Sequence, residues 1–395
     1  MFSLNSLRRW LRASQPDSAA SAKALEIEYV QFLKQHGLAP VGSESGEGGD
    51  LEELIDEAHN FLQDRAREDG TDHLDINDRI NLAGTSSYVR GNLAFTRACG
   101  DRIEQAIRRT PYSLSRPVFP ATFPTGTFNA LAVPQPHGHL LLINDGSATL
   151  VYQVLTLLGH SISFAEFSEE GLPDNKTEIG VSPVGSDERT AILADILVEY
   201  ALRRKVSPER EYAPIPSMAK IHVLAPIYEA LLMYMLAHEY GHASLGHLES
   251  SRAAVSESQA GPIEVIPKSW EQEVEADLCG ATFLIATTGA AESVERTKTL
   301  LVDSKEKEKE FLSVVAGVML FFSLDDAISK IKARLSGLGE HPISETHPPS
   351  TTRAKCIREY LRGMGGDRVF TLSDAVCQVW DLMVDDIVGR VKVRR

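Results

Sequence analysis

Apolar residues recur every three or four positions along most of the chain, which is the spacing of helices that bury one face. Between these segments, apolar and polar residues alternate on both sides of a turn that contains Pro134 and Gly138, which predicts two short strands within 128–144. The predicted helices cover about 23–37, 86–110, 147–158, 186–205, 219–246, 268–288, 292–335, 354–361 and 366–392. The predicted fold class is therefore α+β and mainly helical.

Three stretches rich in Gly, Pro, Ser or Asp interrupt this pattern. Val41–Gly49 predicts a flexible linker, Pro111–Gly126 an extended connector and Glu166–Gly185 a mobile loop. These breaks divide the chain into a helical N-terminal region over 1–110, a main domain over 111–365 and a C-terminal helix over 366–395 that packs on it. The N-terminal region contains no motif that indicates catalysis or metal binding, and we expect it to move over a cleft or to bind a regulatory partner.

The predicted helix over 219–246 contains the sequence His-Glu-x-x-His. His238 and His242 are four residues apart, so both imidazoles lie on one helical face and can bind one metal ion. Glu239 can hydrogen-bond a water molecule beside that metal and act as a general base. This is the zinc-protease arrangement. By chance alone, the pattern His-Glu-x-x-His occurs in about one chain in a hundred of this length, so it is a moderate signal by itself.

A third metal ligand is therefore needed. A metzincin would have a histidine at position 248, where this chain has Leu248, so that class of protease is excluded. His247 lies one position earlier, just after Gly246, and is interpreted as a helix-end residue, with metal ligation as the alternative.

A second class of zinc protease takes its third ligand from a glutamate on a later helix. Glu273 and Asp277 are four residues apart in the predicted helix over 268–288 and share one face. We predict that Glu273 binds the metal and that Asp277 accepts the ring N–H of a ligand histidine, His238. The alternative is that these carboxylates form a solvated acidic face.

Composition and charge narrow the function classes. The net charge is −15, which excludes a general nucleic-acid binder. Four cysteines without paired spacing predict buried thiols in a reducing compartment, and no secretory signal is present at the N-terminus, so we expect a cytoplasmic protein. The longest uncharged apolar run, Phe311–Leu324, has only 14 residues, which predicts a core helix and no integral membrane insertion.

One more stretch, Thr346–Arg353, contains a His-Pro-Pro sequence with an arginine six residues after the histidine. Together with the two helical motifs, the chain resembles the glutamate zincins of the HtpX heat-shock protease and CAAX prenyl protease family. That family carries the motifs in the same order, after a hairpin with the sequence Asn-Ala-Phe-Ala. The matching residues here are His238, Glu239 and His242, then Glu273 and Asp277, then His347, Pro348, Pro349 and Arg353, with Asn129, Ala130 and Ala132 in the hairpin.

The resemblance implies a zincin-like catalytic domain with one Zn²⁺ per chain that hydrolyses peptide bonds. It brings His347 and Arg353 to the site, His347 as a catalytic candidate and Arg353 as a supporting group. It also implies that a protein or peptide substrate binds in extended form along the hairpin edge at Asn129 and Ala130. Two alternatives stay open: a soluble peptidase of the phage-exclusion type that cleaves one host protein, and a zinc-stabilised, catalytically silent binding protein.

Overall fold

The computed structural model describes residues 18–36, 88–164, 179–181, 187–206, 218–249, 254–258, 261–265, 268–288, 305–337 and 348–391. Over these residues the protein is mostly helical with a small mixed sheet, which confirms the predicted α+β, mainly helical class. The predicted linker over 41–49, the segment 207–217 and His347 lie outside the described residues.

The described residues form nine long helices whose positions follow the apolar spacing closely. They are α1 (Ser18–Gln35), α2 (Tyr88–Ile107), α3 (Asp145–Ser161), α4 (Asp187–Arg203), α5 (Met218–Ser244), α6 (Trp270–Thr287), α7 (Lys305–Ser336), α8 (Ser350–Gly365) and α9 (Thr371–Arg390). Two short 3₁₀ helices, His247–Glu249 and Asp367–Phe370, follow α5 and α8. The predicted boundaries agree with these helices to within a few residues, except at the starts of α1, α8 and α9. The predicted helix start at 292 lies outside the described residues, which resume at Lys305.

Three strands form a mixed sheet in the order β1-β3-β2, where β1 is Val118–Phe123, β2 is Ala130–Gln135 and β3 is Gly138–Asn144. β2 and β3 are the two predicted strands, and they pair antiparallel around the predicted turn. β1 pairs parallel to β3. Two further two-stranded sheets pair β4 (Ile162–Phe164) with β5 (Ile179–Val181), and β6 (Ala254–Ser258) with β7 (Gly261–Val265).

Strands β1 and β5 to β7 correct the sequence analysis. The predicted connector 111–126 contains β1, whose Pro120 is tolerated because β1 is an edge strand with one partner. The predicted loop 166–185 contains β5, and its other residues lie outside the described residues. The stretch between α5 and α6, taken as a plain connection, contains the β6–β7 hairpin. These strands are short and lack the alternation that identifies a strand from sequence.

Helix α5 lies at the centre of the molecule. Nearly every residue from Val223 to Ala243 is buried, because α5 packs against α2, α3, α6, α7 and one face of the sheet. A helix that is apolar on all sides belongs in a core, and its hydrophobic side chains divide between the two largest clusters of the molecule. The histidines of α5 are therefore carried by the most enclosed element of the fold.

The predicted N-terminal region contacts the rest of the molecule directly. Helix α1 packs on β1 and β3, where the Tyr29 hydroxyl donates to the Thr122 carbonyl at 2.8 Å. A second contact joins Glu28 to His137 in the β2–β3 turn at 2.7 Å. Helix α2 packs on α5, α6 and β1. Both described helices of 1–110 thus support the sheet and the central helix.

Two stretches of the described residues, Lys220–Ser244 and Lys307–Ser336, are long and apolar enough to cross a membrane by length and composition alone. The uncharged run Phe311–Leu324 predicts a segment too short to cross a membrane. This prediction is corrected, because the helix that contains the run is longer than the run itself, and Lys220–Ser244 reaches the same length class. In the fold, 83% and 72% of their apolar windows are buried against the protein, as in core helices. The absence of membrane insertion stays a prediction.

Candidate metal centre

The last two turns of α5 present the two histidines to one point. His238 and His242 are both buried, with ring planes at 90° and ring centroids 4.7 Å apart. Their Nε2 atoms lie 3.1 Å from each other. The helical spacing of four residues thus brings two imidazole nitrogens within reach of one ion.

Helix α6 brings the carboxylate to the same point. Its first turn is fixed by a capping box, in which the Ser269 hydroxyl accepts from the Gln272 N–H and the Gln272 side chain accepts from the Ser269 N–H. Glu273 follows at once and is buried, with its carboxylate oxygens 3.4 Å from Nε2 of His238 and 3.4 Å from Nε2 of His242.

The three side chains fit a metal ion. Metal bonds of about 2.0–2.1 Å in a tetrahedron separate the ligand atoms by about 3.3–3.4 Å. The two Nε2 atoms lie 3.1 Å apart, and the carboxylate of Glu273 lies 3.4 Å from each of them, through Oε2 to His238 and through Oε1 to His242. Among the described residues, His238, His242 and Glu273 form the one group of ligand side chains with this spacing. The cluster can therefore hold one metal ion.

The close approach of α5 and α6 depends on two glycines. A Cβ at Gly241 would lie 2.7 Å from the Ala276 carbonyl oxygen, and a Cβ at Gly280 would lie 2.9 Å from the backbone nitrogen of His238. Both distances are below any normal contact with backbone atoms. Only glycine at these two positions lets the helix of the histidines and the helix of Glu273 meet so closely.

Asp277 supports the cluster from below. Its Oδ1 accepts from Nδ1 of His238 at 2.8 Å and from the Tyr234 hydroxyl at 2.9 Å. The guanidinium of Arg353, on the first turn of α8, donates to both carboxylate oxygens at 2.6 Å. These contacts keep a proton on Nδ1 of His238, so that Nε2 is the ring nitrogen that can lose its proton and bind a metal.

The charges around Asp277 shift several pKa values. Burial alone would raise the pKa of Asp277, but Arg353 and His238 outweigh it and lower the pKa to about 2. Burial would lower the pKa of His238, but Asp277 and Glu273 raise it to about 9. The pKa of His242 falls to about 3 because of burial and the nearby Lys268 cation. At neutral pH and without a metal, His238 is therefore the positively charged ring of the pair and His242 the neutral one, and metal binding to His238 would release one proton.

His242 has its own support. Its Nδ1 lies 2.9 Å from Nδ1 of His247, in the 3₁₀ helix after α5. The other ring nitrogen of His247 lies 3.2 Å from Oε2 of Glu275 on α6. His247 therefore faces the back of His242 and lies outside the ligand cluster, as its interpretation as a non-ligand requires.

Glu239 is buried beside the cluster and contacts a cation. The Lys268 ammonium lies 3.2 Å from Oε2 of Glu239, and Lys268 precedes α6 by two residues. Burial acts to raise the pKa of Glu239, but Lys268 and the two ligand histidines outweigh it and lower the pKa. The carboxylate is therefore held in its charged form, which is the form that can accept a proton.

The remaining predicted site residues lie in different places. Arg353 lies behind the cluster, where its Nε and Nη2 each donate a hydrogen bond to the Asp277 carboxylate. Asn129 is exposed just before β2, and its backbone N–H and C=O bond Ser147 and Asn144. Ala130 begins β2, opposite Ile143. His347 lies outside the described residues, so its role stays a prediction.

Sequence reasoning missed Lys268, Tyr234 and the contacts of His247 and Glu275. His247 was visible as a third histidine close to the motif, and its short distance in sequence was the available signal. Lys268 and Tyr234 carry no such signal, because their positions depend on how α5, α6 and α8 pack.

Comparison of this chain with protein-family models, with curated proteins and with solved structures gives no match. The resemblance to glutamate zincins therefore stays a prediction, and the function is argued from the geometry of the site.

Proposed function

We propose that this chain is a zinc-dependent endopeptidase with a zincin-like catalytic domain. The observation that carries the proposal is the buried His238–His242–Glu273 cluster, at the ligand spacing of a tetrahedral ion, with the Glu239 carboxylate next to it. Two imidazoles and one carboxylate are the ligand set of catalytic zinc in several peptidases.

Zinc suits this site better than the harder cations. Mg²⁺ and Ca²⁺ prefer six or more oxygen ligands, whereas the cluster offers two nitrogens and one carboxylate. When bound, Zn²⁺ would lower the pKa of a water molecule towards neutrality and polarise the peptide carbonyl. Three protein ligands leave a position for that chemistry, while a structural zinc site normally has four. Among the described residues the cluster has three, which favours an enzyme over a silent binding protein.

Glu239 performs the proton transfers in the proposed reaction. Its carboxylate, kept charged by Lys268, accepts a proton from the attacking water and then delivers it to the nitrogen of the leaving amine. Lys268 holds Oε2, so the other oxygen, Oε1, is the one that accepts the proton. Positioning by a fixed ion pair lowers the cost of orienting the base during each turnover.

The substrate is expected to bind along β2 in extended form. Among the described residues β2 pairs with β3 alone and lies next to α5, so its other side can add a peptide strand by backbone hydrogen bonds. Asn129 and Ala130 stand at the start of this edge. β7 lies close to β2 without pairing with it, so a peptide added to β2 would run beside the β6–β7 hairpin.

Stabilisation of the developing oxyanion needs a donor besides the metal. Arg353 is unsuited to that role, because its guanidinium is buried and binds Asp277 with two hydrogen bonds. Its position instead supports a role in holding Asp277 and, through it, His238. His347 remains the predicted candidate for the oxyanion.

The proposal is tested by mapping new protein N-termini in lysates treated with wild-type protein or with Glu239→Gln. We expect many cleavage sites that depend on Glu239, since binding through backbone atoms tolerates many side chains. A single site in one protein would favour the peptidase of the phage-exclusion type. Identical N-termini in both samples would contradict the proposal and support the silent binding protein.

A further inference from the structure

The two ligand histidines are supported in different ways. His238 donates directly to the buried Asp277 carboxylate. His242 instead faces a second imidazole, with Nδ1 of His247 at 2.9 Å, and that ring reaches the Glu275 carboxylate at 3.2 Å. The partner of His242 is therefore the imidazole of His247, whereas the partner of His238 is the carboxylate of Asp277.

Metal ligation would fix the protons along this chain of contacts. If Nε2 of His242 binds the metal, the proton of its neutral ring is on Nδ1, and that N–H donates towards His247. The facing Nδ1 of His247 must then carry a lone pair, so the proton of His247 is on Nε2. That N–H donates to Oε2 of Glu275, which accepts it. In this arrangement every N–H faces an acceptor, from His242 through His247 to Glu275.

The fold places His247 for this contact. α5 ends at Ser244, and Gly246 adopts a left-handed conformation with φ of 73°, which turns the chain back. The 3₁₀ helix His247–Glu249 then lays the imidazole against His242, with both His247 and the adjacent Leu248 buried. A side chain at Gly246 would meet no atom, so the glycine serves the backbone turn and not a packing need.

Glu275 completes the arrangement from the other helix. It lies on α6 between Glu273 and Asp277, but its side chain is 60% exposed, whereas those two carboxylates are buried. α6 thus sends one carboxylate to the metal cluster, one to His238 and one to His247.

We propose that His247 is a positioning residue that fixes the ring orientation and the tautomer of His242, and that Glu275 fixes His247 in turn. This inference rests on the proposed metal site. It adds a residue whose contribution is to metal affinity and ligand geometry, separate from the peptide-hydrolysis chemistry of Glu239.

The test compares zinc affinity, by competition with a chelator at fixed pH, in four variants of the full chain. His247→Leu removes the acceptor and should weaken zinc binding roughly 10–100-fold, the usual effect of losing such a partner. His247→Asn places an amide oxygen near the position of Nδ1 and should restore most of that affinity. Glu275→Ala should have a smaller effect in the same direction, while Glu271→Ala, an exposed carboxylate on the same helix, should have none.

A second readout separates positioning from a general structural effect. The visible spectrum of the Co²⁺-substituted protein should change in His247→Leu and return towards wild type in His247→Asn, because it reports the ligand geometry. Wild-type zinc affinity in His247→Leu would overturn the inference. If His247→Leu does not fold, the test is Glu275→Ala. A zinc affinity of Glu275→Ala equal to that of Glu271→Ala would then overturn the inference. Failure of the wild-type protein to bind zinc would instead overturn the proposed function.

Discussion

At the scale of single residues, Asp277 links the candidate metal ligand His238 to Tyr234 and Arg353. Its carboxylate accepts from His238, Tyr234 and twice from Arg353, and all four groups are buried. Hydrogen bonds to a charged group in such surroundings are stronger than neutral ones. The carboxylate therefore sets both the tautomer of His238 and the position of Arg353.

Asp277→Asn should lower zinc affinity or turnover by roughly 10–100-fold. The amide accepts with one atom only and presents a donor to a neighbour that also donates, so His238 loses its fixed orientation. A zinc-buffer titration of the wild type and the variant measures the effect. Equal affinity together with equal turnover would show that Asp277 has a purely structural role at this buried position.

Lys268 gives a separate prediction on pH dependence. Its cation is the largest influence that lowers the pKa of Glu239 against burial, so Lys268→Met should raise that pKa. The base is active when charged, and the acid limb of kcat/KM should therefore move to higher pH. The loss of activity should therefore be largest at the acid end of the profile, with unchanged zinc content.

Lys268→Arg is the matched control for Lys268→Met, since it keeps the charge and should keep the wild-type pH profile. A pH profile of the methionine variant that superimposes on the wild type would show that the ion pair does not set the base. Higher activity in that variant would show that the pair restrains Glu239.

The residues of the candidate metal cluster could be picked out from sequence because their spacing on a helix places them on one face. The motif around His238 and the later pair Glu273 and Asp277 each occupy one helical face, and the fold brings the two faces together. Lys268 could not be found in this way. Its contact with Glu239 depends on the angle at which α6 begins.

At the scale of elements, the crossing of α5 and α6 determines whether the ligands meet. Glu273 and the histidines are more than 30 positions apart in sequence, and the two helices approach through Gly241 and Gly280. Each glycine faces the backbone of the other helix. The metal cluster is therefore a consequence of a close helix packing as much as of the ligands themselves.

Gly280→Ala should separate α5 from α6, because its Cβ would lie 2.9 Å from the backbone nitrogen of His238 and about as close to the Ala237 carbonyl group. We expect a loss of about 1–3 kcal/mol of stability from overpacking and weaker zinc binding. Gly363→Ala on α8 is the control, since a Cβ there meets nothing within 4 Å, and it should stabilise the helix by about 0.5–1 kcal/mol.

Thermal unfolding and zinc titration of both glycine variants provide the measurement. Unchanged zinc affinity and stability in Gly280→Ala would mean that the helices accommodate a methyl group at the crossing. The close packing would then have no part in bringing the ligands together.

Periodicity predicted the helices well because each one buries a stripe of apolar residues, as in α6 and α9. It failed for β1 and for the β6–β7 hairpin. β1 contains Pro120 and is almost entirely buried, so it shows no alternation, and its parallel pairing with β3 joins segments that sequence alone does not connect. β6 and β7 carry too few apolar residues to give a signal.

At the scale of the whole molecule, a second buried carboxylate affects stability away from the metal cluster. Asp145 begins α3 directly after β3, and Asn92 of α2 donates to its Oδ1 at 3.1 Å. Burial raises its pKa to about 7. The folded protein therefore keeps this proton over a range in which the unfolded chain, with a pKa of about 3.9, has lost it.

Stability should consequently fall as pH rises from about 4 to about 7 through this group, and the charged form remains unfavourable above that range. Asp145→Asn removes the titration and can still accept from Asn92. The advantage of the variant over wild type should grow by roughly 2–3 kcal/mol between pH 5 and pH 8. Denaturant unfolding at the two pH values measures it, and an advantage that is independent of pH would contradict the assignment.

The central claim is that this chain hydrolyses peptide bonds through a metal-activated water and the Glu239 base. The most direct measurement is hydrolysis of an unstructured peptide library by wild-type protein, by the same protein after chelation and zinc return, and by Glu239→Gln with its zinc content determined. We predict activity that chelator removes and zinc restores, and a variant that binds about one zinc per chain but does not cleave. Cleavage that survives chelation, or a zinc-loaded Glu239→Gln as active as wild type, would contradict it.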